Sequence, residues 1–106
     1  MFKKNLEGKI TKVDDQLGNS ITRPHLIIKD KLEDDVDVAP ITKSTNYNND
    51  LEIKTNPPLK NEPSYLVLQH TRSIERCKAE ANLTGQTVAN RNEIFNKIAK
   101  HKEHEL

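Results

Sequence analysis

Polar and apolar residues alternate near the start of the chain and then run together. Gly8-Lys9-Ile10-Thr11-Lys12-Val13 alternates and stops at Asp14-Asp15, which predicts a short strand closed by a turn-forming pair. Gln16 to Thr22 contains Gly18-Asn19-Ser20 and reads as a loop. Leu26-Ile27-Ile28 is a continuous apolar run suited to a central strand. Pro24 stands at its start, where a missing backbone donor does least harm. Lys29 to Asp35 is acidic and predicts a solvated turn, after which Val36, Val38 and Ile41 resume the β pattern as far as Thr42. Ser44 to Asn49 is an Asn-rich loop, Leu51-Glu52-Ile53-Lys54 a brief alternating strand, and Asn56-Pro57-Pro58 a break. Ser64-Tyr65-Leu66-Val67-Leu68 forms the next strong strand and continues, after a bend, through Ser73-Ile74.

The period then changes. Asn90-Arg91-Asn92-Glu93 has a helix-capping residue with an acidic residue three positions on, close to a capping box. Ile94, Phe95, Ile98 and Ala99 follow as an apolar stripe at helical spacing, and the helix is expected to fray at His101-Lys102-Glu103-His104. Five short strands followed by one packed helix predict a mainly β fold: a small, strongly curved, barrel-like sheet with a C-terminal helix, in a single domain spanning 1–106.

A chain of 106 residues has a thin core, burying only roughly 60% or slightly more of its unfolded surface. With 33% hydrophobic and 31% charged residues, it stands to gain stability by burying a further face against a copy of itself. The net charge of +1 excludes a strong global attraction for nucleic acid, so any RNA binding has to come from a local patch. Cys77 is the only cysteine, which rules out an intrachain disulfide and a cysteine metal cage. The N-terminus has no signal-peptide pattern, and no segment approaches the roughly 20 apolar residues of a membrane span, so a cytoplasmic protein is expected.

Two residues bracket the central β segments. Arg23 precedes the apolar run, where a guanidinium at the sheet's rim offers five fixed donors to a phosphate; pairing with the acidic turn at Glu33 to Asp35 is the plainer alternative. Thr42 ends the next strand after Pro40, where its hydroxyl can donate to a phosphoryl oxygen or simply satisfy a loop. The two become neighbours only if their strands pair antiparallel. The carboxylates of Glu33, Asp34, Asp35 and Asp37 lack calcium-loop spacing. His101 and His104 are three apart on a solvated helix end, so no metal site is assigned.

In order and spacing these segments resemble the MazF/PemK family of toxin endoribonucleases. Gly8-Lys9-Ile10 is similar to the family's opening Gly-x-Ile strand, Arg23-Pro24 through Ile28 to its Arg-Pro strand, and Pro40-Ile41-Thr42 to its Pro-x-Thr element. Leu68-Gln69-His70-Thr71-Arg72-Ser73-Ile74-Glu75 resembles its late acid–Gln–x–Lys/Arg–Ser/Thr–aliphatic–acid stretch. Two departures stand out. Gln69-His70 replaces the usual acid-Gln, so an acidic RNA contact gives way to a histidine that can bind a base edge or exchange protons near neutral pH. The base-reading loop is shortened to Gln16-Leu17-Gly18-Asn19-Ser20.

The resemblance implies a small SH3-like β-barrel of the MazF/PemK/CcdB type that cuts single-stranded RNA without metal or cofactor. Attack by the 2′-hydroxyl on the adjacent phosphate would leave 2′,3′-cyclic phosphate and 5′-hydroxyl ends. Arg23 and Thr42 would be the catalytic pair, with Gln69, His70, Arg72, Asn19, Ser20 and Lys43 contacting RNA. A basic stripe of Lys43, Arg72 and Arg76 would track the RNA backbone. The implied partners are single-stranded RNA, a cognate antitoxin with a disordered acidic tail, and a second copy of the chain. Two rivals share this fold: a catalytically degraded homologue that binds RNA or protein, and a toxin that poisons DNA gyrase.

Overall fold

The computed structural model describes residues 4–14, 22–43, 51–57 and 63–105, with residues 101–105 described through their helix alone. Its strands are β1 (Lys9–Asp14), β2 (Thr22–Asp30), β3 (Asp35–Thr42), β4 (Glu52–Ile53), β5 (Thr55–Asn56), β6 (Ser64–Leu66), β7 (Arg72–Glu75) and β8 (Leu83–Val88). The helices are α1 (Arg76–Ala81) and α2 (Arg91–Glu105), with a 3-10 turn at Leu68–His70.

The strands form one antiparallel sheet in the order β4-β6-β3-β2-β1-β8-β5, with β7 also paired to β3. The two ends of that order, β4 and β5, are separated in the chain by Lys54 alone. A strip of strands whose edges are held one residue apart has to curl back on itself, and the sheet is nearly closed and barrel-shaped.

Asn90 clasps this junction. Its Oδ1 accepts the Lys54 amide at 2.9 Å, and its Nδ2 donates to the Glu52 carbonyl at 3.0 Å and to Glu93 at 3.3 Å. The Ala89 amide adds a bond to the Lys54 carbonyl at 2.6 Å. The expected capping residue therefore starts α2, its own carbonyl accepting from Ile94, while its side chain ties the helix to the barrel seam.

Each face of the sheet buries a separate apolar cluster. One combines Ile10, Leu26, Ile28, Ala39, Ile41 and Leu66 with Ile94 and Ile98 of α2. The other gathers Leu6, Ile27, Val36 and Val38 beneath Ala79 of α1. The continuous run Leu26-Ile27-Ile28 is apolar because successive side chains enter different cores.

A β-bulge interrupts β2. Leu26 opposes Ala39 and Ile27 opposes Val38, but Lys29 then opposes Asp37, leaving Ile28 as the extra residue. Asp30 consequently faces the α1 side, opposite Val36, instead of sharing a face with Leu26 and Ile28.

There Asp30 meets Arg76, and both are buried. The Asp30 carboxylate also accepts the amides of Leu6 and Leu32, each at 2.8 Å. Arg76 donates through Nε to the Glu33 carbonyl at 2.6 Å and more weakly to the Lys4 carbonyl at 3.3 Å. The N-terminal segment, the β2–β3 turn and α1 are thus tied to one ion pair.

The barrel with its C-terminal helix agrees with the sequence reading, but the inventory of elements differs. Eight strands occur among the described residues instead of five. Glu75 to Val88 forms β7's end, α1 and β8, a region where neither period is long enough to read. Ala99 is exposed, so the helix buries a narrower stripe than expected, and α2 runs to Glu105, through the His101–His104 stretch where it is expected to fray. Among the described residues, no helix is long and apolar enough to cross a membrane.

Removing one partner from a buried, hydrogen-bonded ion pair leaves the other charge uncompensated. Asp30→Ala is therefore expected to cost about 3–5 kcal/mol, read by urea denaturation. Burial alone pushes the Asp30 carboxyl up, but the Leu6 and Leu32 amides and the Arg76 guanidinium outweigh it and hold it below the ordinary carboxylate value. The unfolded chain thus binds this proton more readily than the folded one. Its contribution is complete above about pH 4, the unfolded value, and falls away as the pH drops through the lower folded value. In Asp30→Ala this part of the acid dependence should vanish. Asn90→Ala should cost about 1–2 kcal/mol, because two backbone groups at the seam lose a partner.

Candidate functional site

Register decides which side chains share a face. The β2–β3 pairs end at His25 opposite Pro40; Arg23 and Thr42 lie two residues further along their strands, on the face that this pair shares. On the other side of β2, Arg23 is paired with Val13; on the other side of β3, Thr42 is paired with Tyr65, and Tyr65 in turn with Glu52. Directly opposed residues in antiparallel strands present their side chains to the same face. Thr42, Tyr65 and Glu52 thus form a row across β3, β6 and β4, at a strand spacing of about 4.8 Å, and Arg23 shares their face. Their neighbours Ile41, Leu66 and Ile53 point the other way, into the core beneath α2.

Exposure grades across this face. Thr42 is buried, Arg23 and Tyr65 are half-buried, and Glu52 is exposed. Behind Arg23 on the same face lies His25, which is fully buried, with Nδ1 2.7 Å from the Arg23 carbonyl. A carbonyl can only accept, so Nδ1 carries the hydrogen and ties the ring to the backbone of Arg23.

Arg72 enters from another strand. It opposes Val38 on β7, and its guanidinium donates to the Asp14 carbonyl at 2.6 Å. Asp14 is paired with Thr22, the residue before Arg23, so a second guanidinium reaches the end of β2 that carries Arg23. The Arg72 Nε is buried with no hydrogen-bond partner. Two cations and a buried hydroxyl at one end of the barrel form an arrangement suited to a phosphate.

Gln69 and His70 are exposed on the 3-10 turn, which is fastened to β3 by a bond from the Val67 amide to the Pro40 carbonyl at 2.9 Å. This sets the turn close to the Thr42 end of β3. Lys43 is exposed immediately after Thr42. Asn19 and Ser20 lie outside the described residues.

Arg76 requires a correction. Expected in a basic stripe with Lys43 and Arg72, it is buried and bound to Asp30 and to backbone carbonyls, and so belongs to the scaffold. The acidic turn takes up Arg76 through the Glu33 carbonyl. A separate cavity of about 200 Å³, lined by Lys29, Lys31, Glu33, Asp35, Asp37 and Ser73, sits at the opposite end of the β2–β3 hairpin. Among the described residues, no three His, Cys, Asp or Glu side chains gather as a metal site would require.

Sequence reasoning missed His25, Tyr65 and Glu52. Alternation separates Tyr65 from Leu66 and Glu52 from Ile53, but only the strand pairing reveals that this face is the one shared with Arg23 and Thr42. No known family model and no curated protein matches the chain.

The contrast between the two arginines can be measured. Arg76→Ala should destabilise the fold by about 3–5 kcal/mol, as expected for half of a buried ion pair. Arg72→Ala, losing one bond to a backbone carbonyl, should cost about 1 kcal/mol. Thermal or urea unfolding of the two variants side by side tests this division.

Proposed function

We propose that the chain is a metal-independent, sequence-preferring endoribonuclease acting on single-stranded RNA, the toxin of a toxin–antitoxin pair. The observation that carries this reading is the antiparallel pairing of β2 with β3, whose alternation puts Arg23 and Thr42 on one face. Support comes from Arg72, whose guanidinium reaches the same end of the barrel through Asp14.

The chemistry follows from the residue types. The 2′-oxygen attacks the neighbouring phosphorus, forming one P–O bond as the bond to the 5′-oxygen breaks. The 2′-hydroxyl proton passes to water or to His70, and the departing 5′-oxygen takes up a proton from water. Extra negative charge develops on the phosphoryl oxygens between these events. A guanidinium is a permanent cation in proteins, so Arg23 stabilises that charge without itself exchanging the proton. Thr42 donates its hydroxyl to a phosphoryl oxygen, and burial strengthens the interaction. Arg72 holds the RNA backbone. Lys43, Gln69 and His70 border the same end of the sheet, where unstacked bases can be contacted.

The partners belong to the same reading. A disordered acidic antitoxin tail complements a face carrying Arg23 and Arg72, and its ordering on binding allows release when the antitoxin is degraded. A second copy of the chain completes the toxin, and the cytoplasm supplies the RNA.

The test is single-turnover cleavage of a long single-stranded RNA in EDTA. Arg23→Ala and Thr42→Val, each shown by urea denaturation to be folded under the assay conditions, should lower the rate by about 100-fold or more. Thr42→Ser should recover much of the loss. RNA that is bound but left intact by the wild-type protein would instead identify a binding module.

A further inference from the structure

The face that carries Arg23 and Thr42 does not end at Thr42. Tyr65 stands directly opposite it on β6, half-buried, and presents an aromatic ring to the same face. Its strand neighbours Ser64 and Leu66 are buried in the opposite direction, so β6 holds the ring in position. One strand spacing, about 5 Å, separates Tyr65 from Thr42, and Arg23 lies on the same face. A nucleotide whose phosphate is held by Thr42 therefore has its flanking base within reach of the ring.

We propose that Tyr65 is a base-stacking residue that holds the nucleotide flanking the scissile phosphate, an inference that rests on the ribonuclease reading above. Stacking on an aromatic face is tolerant of base identity, because every base has a π face. It would supply affinity that the net charge of +1 does not. It would also orient the sugar so that the 2′-oxygen lines up with the phosphorus. Tyr65 is thus a substrate-contacting residue whose contribution comes from its ring and not from its hydroxyl.

The chain's composition provides a direct probe, since it has two tyrosines and no tryptophan. In a Tyr47→Phe protein, tyrosine emission comes from Tyr65 alone. Titration with a short random-sequence single-stranded RNA carrying 2′-O-methyl riboses, which cannot be cut, should quench that emission saturably. With cleavable RNA, Tyr65→Ala should raise KM roughly 10- to 100-fold, while Tyr65→Phe should remain within a few-fold of wild type. If wild-type protein cleaves RNA and Arg23→Ala does not, yet Tyr65 emission and KM are unmoved, the stacking role is overturned and the ribonuclease reading stands. If the wild-type protein neither binds nor cleaves RNA, both fall together. The emission experiment leaves Tyr65 intact, so its result does not depend on how well the alanine variant folds.

Discussion

The ion pair between Asp30 and Arg76 forms where the β2–β3 hairpin turns, and much of the molecule is tied to that point. Asp30 has to face α1 to meet Arg76, whereas Leu26 and Ile28 have to face α2. All three occupy even positions of one strand, and an unbroken strand would send them to the same side. The bulge at Ile28 resolves the conflict by shifting the register one step. The shift has a consequence at the other end of the hairpin. Carried back without a bulge, the Lys29–Asp37 register would set Pro24 opposite Thr42 and turn Arg23 toward Lys43. With the bulge, Arg23 shares its face with Thr42. A requirement of folding at one end thus determines which side chains share a face at the other.

Closure of the sheet is a second constraint of the same kind. Lys54 alone joins the two edge strands, and Asn90 clasps the seam while starting α2. The helix and the barrel consequently form as one unit. The face bearing Arg23, Thr42 and Tyr65 lies on strands held by both devices: β2 and β3 by the ion pair, β6 through its pairing with β4 at the seam.

The parts legible in the sequence were those with strong local patterning: the alternation of β1, the apolar run of β2, the Asn90 start of the last helix and the barrel they imply together. Arg23 and Thr42 were legible as strand-end residues, and their neighbourhood required only antiparallel pairing. Other features depended on contacts distant in the chain. Leu26-Ile27-Ile28 has no alternation and so carries no sign of the bulge that sets the register. Arg76 looked like one basic residue among several, because its partner Asp30 lies 46 residues earlier. Tyr65 read as part of an apolar strand, and only the strand pairing sets it opposite Thr42. The helix α1 and the strand β8 were too short and too polar for either period to emerge.

The central claim is that Arg23 and Thr42 direct an internal attack on RNA, and the chemistry of the cut ends tests it most directly. Purified protein, free of any bound inhibitor, would be incubated with single-stranded RNA in EDTA and the product termini identified. The account predicts 2′,3′-cyclic phosphate on one fragment and a 5′-hydroxyl on the next, because the attacking oxygen belongs to the substrate. Fragments bearing 5′-phosphate, or RNA left whole by folded protein, would contradict it.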